Sequence, residues 1–187
     1  REGLITPGQV QYVAQAGIFQ TPYRGSMLVA RQILGLDYLW NRLRVQGGAY
    51  GASAGFTRLG ILYFASYEDP NLSATLREYQ GVADYLENFR ADEQELEKFI
   101  IGTVGALDTP LTPPLRIQIR ILRARTGQTK ERIQQIRDEV LSTRSEDIRL
   151  LADTVREALG HSSVCVVGSK EMLTREKEVF DEIIEVL

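Results

Sequence analysis

The sequence predicts an α+β fold, a two-layer sandwich in which a mostly antiparallel sheet is covered on one face by helices. Strand-like runs cluster before Pro70 and one returns at residues 163–167, while helical apolar periodicity fills the middle and the end. At 187 residues and 43% hydrophobic, the chain suits a single domain, which can bury about 70% of its unfolded surface.

Residues 9–19 read as the first strand, with Val10, Tyr12 and Ala14 on one face and Val13 breaking the alternation. A loop with Pro22 leads to a helix from Ser26. Its apolar stripe is Val29, Ile33, Leu36, Trp40 and Leu43, at alternating spacings of four and three, which assigns Trp40 to the core. Arg44 falls near the C-terminal end of this helix. Gly47 and Gly48 then supply the positive-φ conformations that close a helix, and Tyr50 follows on the strand side.

Residues 49–57 and 59–67 read as two antiparallel strands turning near Arg58, and Asp69-Pro70 as the N-cap and first turn of a helix with Leu72, Leu76, Tyr79, Ala83 and Leu86 inside. Asp92 and Glu95 open a helix through Leu96, Phe99 and Ile100 toward Val104. Three prolines between Asp108 and Pro114 end it. A basic segment from Leu115 comes next. A helix from Thr129 carries Ile133, Ile136 and Val140 inward, and another, capped by Ser145, carries Ile148, Leu151 and Val155. The last element is read as a helix over residues 175–187, buried through Val179, Ile183 and Val186.

The junction at residues 39–51 places a guanidinium beside a phenol at a sheet edge, and both groups can donate to a peptide carbonyl. Taken alone, the same spacing also fits an arginine answering a helix dipole and an ordinary strand aromatic. The wording of the tract, Leu-Trp-Asn-Arg-Leu-Arg-Val-Gln-Gly-Gly-Ala-Tyr-Gly, resembles the C-terminal domain of the pitrilysin/insulinase-type zinc metallopeptidases, in their presequence protease branch. The resemblance extends to residues 6–17, to Ser66-Tyr67-Glu68-Asp69-Pro70-Asn71 and to Ile100-Ile101-Gly102-Thr103-Val104-Gly105, and covers nearly the whole chain.

It implies the LuxS/mitochondrial-processing-peptidase-like metallohydrolase fold. It further implies that residues 1–187 are the C-terminal domain of a larger peptidase that degrades short unstructured peptides in a chamber between two halves. Zinc, its ligands and a glutamate base would belong to the N-terminal catalytic half, the partner of this domain. By the same resemblance Arg44 and Tyr50 would contact the substrate carbonyl, with Gly47 and Gly48 in support. Relatives of this kind work in bacterial cells, mitochondria and chloroplasts, so a bacterial cytoplasm or an organelle matrix is expected. Arg1 in place of methionine suggests a chain cut from something longer, or a processed N-terminus. A non-catalytic subunit and a free-standing peptide-binding module of the same fold are the competing readings.

Other chemistry fares poorly. The zinc signature of these peptidases, His-x-x-Glu-His, needs two imidazoles, and the chain has one histidine, His161, so no metal site is expected in it. Cys165 lies in the apolar run Val164-Cys165-Val166-Val167, where burial would hide a thiolate from His161. Gly168-Ser169-Lys170 lacks the earlier glycine of a phosphate loop and reads as a helix cap at Ser169. A single cysteine excludes an intrachain disulfide. No apolar run approaches the ~20 residues that span a bilayer, so a soluble domain with no membrane partner is expected.

Charge is uneven. Arg116, Arg120, Arg123, Arg125, Lys130, Arg132 and Arg137 against Glu131 give the span 115–137 a net +6, leaving −9 for the rest. Without aromatic residues between them, these cations do not suggest nucleic-acid binding. If the substrates are basic targeting peptides, as the resemblance implies, a stripe this basic would repel them, so it is expected to face away from the chamber.

Overall fold

A six-stranded mixed sheet organises the chain, in the order β3-β4-β2-β5-β1-β6. The computed structural model describes residues 1–5 and 11–185. The strands are β1 (Glu2–Ile5), β2 (Tyr12–Ile18), β3 (Gly51–Phe56), β4 (Ile61–Tyr67), β5 (Ser162–Gly168) and β6 (Glu182–Glu185). From β3 through β4 and β2 to β5 all pairing is antiparallel; β1 joins β5, and β6 joins β1, in parallel.

Helices cover one face. The first, α1, begins at Gly25–Ile33 and continues through π-helical turns over Leu34–Tyr38 and Trp40–Gln46. With α2 (Leu72–Glu87) and α6 (Ser145–Gly160) it packs on the sheet, while α3 (Glu93–Leu107) and α5 (Lys130–Leu141) pack outside against α1. The short α7 (Lys170–Arg175) lies beside β1. Helix α4 (Pro113–Arg125) buries no residue.

The core forms where the sequence stripes meet. Leu72, Tyr79, Ala83 and Leu86 of α2 and Ile148, Leu151 and Val155 of α6 are buried against Val13, Leu62, Phe64 and Val166 of the sheet. Tyr79 stacks on Phe64 at 5.1 Å, and its hydroxyl donates to Val13 O. Ile136 and Val140 of α5 are buried as expected, and Leu96, Phe99, Ile100 and Val104 of α3 pack partly against the core. Asp92, Thr129 and Ser169 cap α3, α5 and α7 through their side chains. No helix among the described residues is long and apolar enough to cross a membrane.

Several expectations are corrected. In β2 the inward face is Val13, Gln15 and Gly17, and Tyr12 points out, because a polar residue, Gln15, is buried with its amide donating to Ser162 Oγ. Gln9 and Val10 lie outside the described residues. The helix expected over residues 175–187 ends at Arg175. One 3₁₀ turn, Lys177–Val179, follows, and the β-branched pair Ile183-Ile184 then joins the free edge of β1 as β6. Val186 lies outside the described residues.

Ser145 does not cap α6; the Arg144 N–H donates to the Asp147 carboxylate instead. Cys165 is exposed, because the apolar run alternates and only Val164 and Val166 face the helices. Its thiol is nonetheless pushed up by partial desolvation and by the Glu2 carboxylate.

Candidate substrate-contacting site

The largest correction bears on the site. An α-helix would bury Leu36 and Trp40, but the π turns take in an extra residue, with the Leu39 N–H donating to Leu34 O five residues back. The buried set becomes Ile33, Leu34, Tyr38, Leu39 and Leu43. Leu36 is 58% exposed and Trp40 43% exposed. Trp40 is therefore surface, and its indole lies under the Arg44 guanidinium, 4.1 Å from ring centre to Cζ. An exposed contact of this kind contributes about 0.5–1 kcal/mol and narrows where the arginine can swing.

The helix then stops at the glycine pair, though the two residues act differently. Gly48 has φ +79°, the left-handed conformation, whereas Gly47 has an ordinary φ of −86°. The expectation of positive φ thus holds for Gly48 alone. Gly47 is needed for space, since a Cβ there would sit 2.6 Å from Leu43 O. The Gly48 N–H donates to Arg44 O and the Ala49 N–H to Leu43 O, which satisfies carbonyls at the helix end. Tyr50 joins the sheet through its N–H to Tyr67 O, just ahead of β3.

Arg44 and Tyr50 are thereby brought together as the sequence suggested, with the guanidinium 5.8 Å from the Tyr50 ring centre. Both are exposed. Tyr50 meets Tyr67 edge to face at 5.7 Å, and Tyr67 packs on Tyr12 at 4.9 Å. The Glu68 carboxylate, by hydrogen bonding and by its charge, pushes the Tyr67 phenol up to about 12, with smaller contributions from partial burial and from Tyr12. Tyr67 is then a neutral donor at any physiological pH.

The tract from Ser66 to Asn71 locks this junction from below. Asp69 is buried, and its carboxylate accepts from Ser66 Oγ, Thr75 Oγ1 and the Asn71 N–H at 2.5, 2.6 and 2.9 Å. The expected Asp69 N-cap is corrected by two residues: Asn71 is the N-cap of α2, and Asp69 holds that turn from outside the helix. Asn71 in turn donates through its side-chain amide to Gly47 O. Glu68, between Tyr67 and Asp69, sits at φ +47°, a left-handed conformation that costs a non-glycine residue roughly 1–2 kcal/mol. The fixed ends on either side hold it there.

Sequence reasoning missed Trp40, Tyr67, Tyr12 and the bracing by Asp69. The tract from Ser66 to Asn71 carried a signal in its wording; the placement of Trp40 carried none, because it depends on helix winding. Among the described residues no group of three or more His, Cys, Asp and Glu could hold a metal ion. The basic stripe is exposed on α4. Arg116, Arg120 and Arg123 form no ion pair among the described residues, whereas Arg132 pairs with Glu139 and Arg137 with Asp108.

Comparison with known proteins agrees with this architecture. Protein HypA of Clostridium perfringens (strain 13 / Type A) is 38% identical over 189 residues, covering 100% of this chain and 19% of its own length. Presequence protease 1, chloroplastic/mitochondrial, of Arabidopsis thaliana is 36% identical over 174 residues, covering 91% and 16% respectively. The chain thus spans less than a fifth of the length of these relatives. Among solved structures, the inactive peptidase M16 domain from Pseudomonas fluorescens superposes with a TM-score of 0.64 at 17% identity, over 90% of this chain and 43% of that one. The inactive peptidase domain of a putative zinc protease from Bordetella parapertussis gives 0.64 at 15% identity, over 87% and 94%. These structures share the fold. Residues 1–170 match the family described as the PreP C-terminal domain, and the chain belongs to that family.

Proposed function

We propose that this chain is the substrate-contacting C-terminal domain of a larger zinc metalloendopeptidase that degrades short unstructured peptides. The domain closes the chamber, and Arg44 and Tyr50 hold the carbonyl of the bond to be cut. The observation that supports this is the exposed pair itself, a guanidinium resting on Trp40 beside a phenol at a sheet edge braced by Asp69 and Asn71. Such donors, fixed before substrate arrives, stabilise charge as it develops on the carbonyl oxygen, at a cost of about 10²-fold in rate when one is removed.

Zinc, its ligands and the base would reside in the remainder of the polypeptide, which the one histidine of this chain cannot replace. The basic face of α4 would lie away from the chamber.

The test is steady-state kinetics of the full-length enzyme. Tyr50→Phe and Arg44→Ala should lower kcat by about 10²-fold while raising KM little. An unchanged kcat in both variants would remove the pair from the chemistry.

A further inference from the structure

The sheet face away from the helices carries more than the Arg44–Tyr50 edge. Strand register aligns Gly51 with Tyr67 and Tyr67 with Tyr12, so the rings of Tyr50, Tyr67 and Tyr12 form a row running inward from that edge across β4 and β2. Two residues along the strands, the next outward-facing row is Ser53, Ala65 and Ala14, all small. Tyr63 stands in the row after it, with its ring over Gly55. The open face is therefore a shallow trough with a floor of small side chains and a phenol wall on either side, about 13 Å apart at about 3.3 Å per strand residue. Tyr12 is 45% exposed and Tyr50 64% exposed, so the row presents apolar ring surface to the outside.

We infer that Tyr12 and Tyr67 form a specificity subsite for a bulky apolar side chain of the bound peptide. This rests on the proposed role of Arg44 and Tyr50, because the trough begins at that pair. Two successive ring contacts, 5.7 and 4.9 Å, place Tyr12 about 10 Å from Tyr50. An extended peptide advances about 3.3 Å per residue, so the side chain that reaches Tyr12 is roughly the third from the carbonyl held by Arg44 and Tyr50. The small floor leaves room for an aromatic or branched side chain, and the Tyr67 ring, its hydroxyl turned to the Glu68 carboxylate, supplies an apolar wall.

The experiment uses the full-length enzyme and matched peptides that differ only at the third residue from the cleaved bond, phenylalanine or serine, on either side. The wild type should cleave one of the phenylalanine peptides with kcat/KM about tenfold higher than its serine counterpart. Tyr12→Ser should bring that ratio toward one through KM, while Tyr67→Phe, which keeps the ring, should preserve it. A wild type with no preference, or a Tyr12→Ser enzyme with the wild-type ratio, would overturn the subsite. So would resistance of Tyr12 to nitration in the folded full-length enzyme, which would mean that another segment covers this face. Arg44→Ala is measured alongside: its kcat tests the pair, and the peptide ratio tests the subsite, so either can fail alone.

Discussion

Replacing Asp69 with alanine should destabilise the domain and loosen the candidate site in the same step. Its carboxylate is 1% exposed and accepts three hydrogen bonds. Hydrogen bonds to a charged group contribute about 1.5–3 kcal/mol each, but the variant also avoids the cost of burying a carboxylate. The two hydroxyls can turn toward other acceptors, whereas the Asn71 N–H cannot. We expect a net loss of about 1–3 kcal/mol, the cost of leaving the Asn71 N–H without its acceptor. In a domain of this size that lowers Tm by roughly 2–4 °C per kcal/mol.

The local effect is read separately. Trp40 is the only tryptophan, so its emission reports on the junction alone. When Asp69 no longer fixes Asn71, the bond from Asn71 to Gly47 O weakens, and the indole should shift to a wetter, less restrained environment. Circular dichroism melts give the first quantity and fluorescence anisotropy of the native state gives the second. A stability loss below about 1 kcal/mol would refute the assigned network. A large loss with unaltered Trp40 emission and anisotropy would refute the link between Asp69 and the site.

Gly48→Ala should cost about 1–2 kcal/mol from backbone strain alone, since its Cβ would make only an ordinary contact with Pro70 at 3.7 Å, while Gly47→Ala must displace backbone and should perturb Trp40 emission more. Burial raises the phenols of Tyr38, Tyr79 and Tyr85, helped by Glu78 at Tyr38 and Asp37 at Tyr85. Their stabilising contribution is complete below the unfolded value of about 10 and is lost as pH climbs above it, so chemical denaturation should show stability falling steeply beyond pH ~10. Tyr79→Phe should flatten that fall. An antibody raised against this chain should detect a native polypeptide several times its 21.1 kDa; a band near that mass would instead assign catalysis to a separate partner.

Local signals carried much of this fold. The helix stop at Gly47-Gly48, the hairpin of β3 and β4, and the caps at Asp92, Thr129 and Ser169 all depend on residues close in sequence, and all were legible. The failures are non-local. Residues 182–185 satisfy a helical pattern equally well, and only the free edge of β1, far away in sequence, makes them a strand. Gln15 looks like a surface residue until Ser162 is seen to receive its amide. At the site, Arg44 and Tyr50 could be paired from spacing and wording. Tyr12 and Tyr67 could not, because the register of β2 against β4 brings them together.

The winding of α1 has a cost that its surroundings must offset. Wound as an ordinary α-helix, the segment would bury Leu36 and Trp40, and a large apolar side chain taken out of water contributes about 1.5–3 kcal/mol. The π turns exchange that burial for Leu34, Tyr38 and Leu39: the apolar pattern read from the sequence favours one winding and the fold adopts another. The two windings differ by about one residue of phase, or roughly 100° of rotation. Deleting a single residue from residues 34–46 should release the conflict and swing the indole beneath the guanidinium back into the core. The chain would trade Leu34, Tyr38 and Leu39 for Leu36 and Trp40 in its core and lose the geometry of its candidate site.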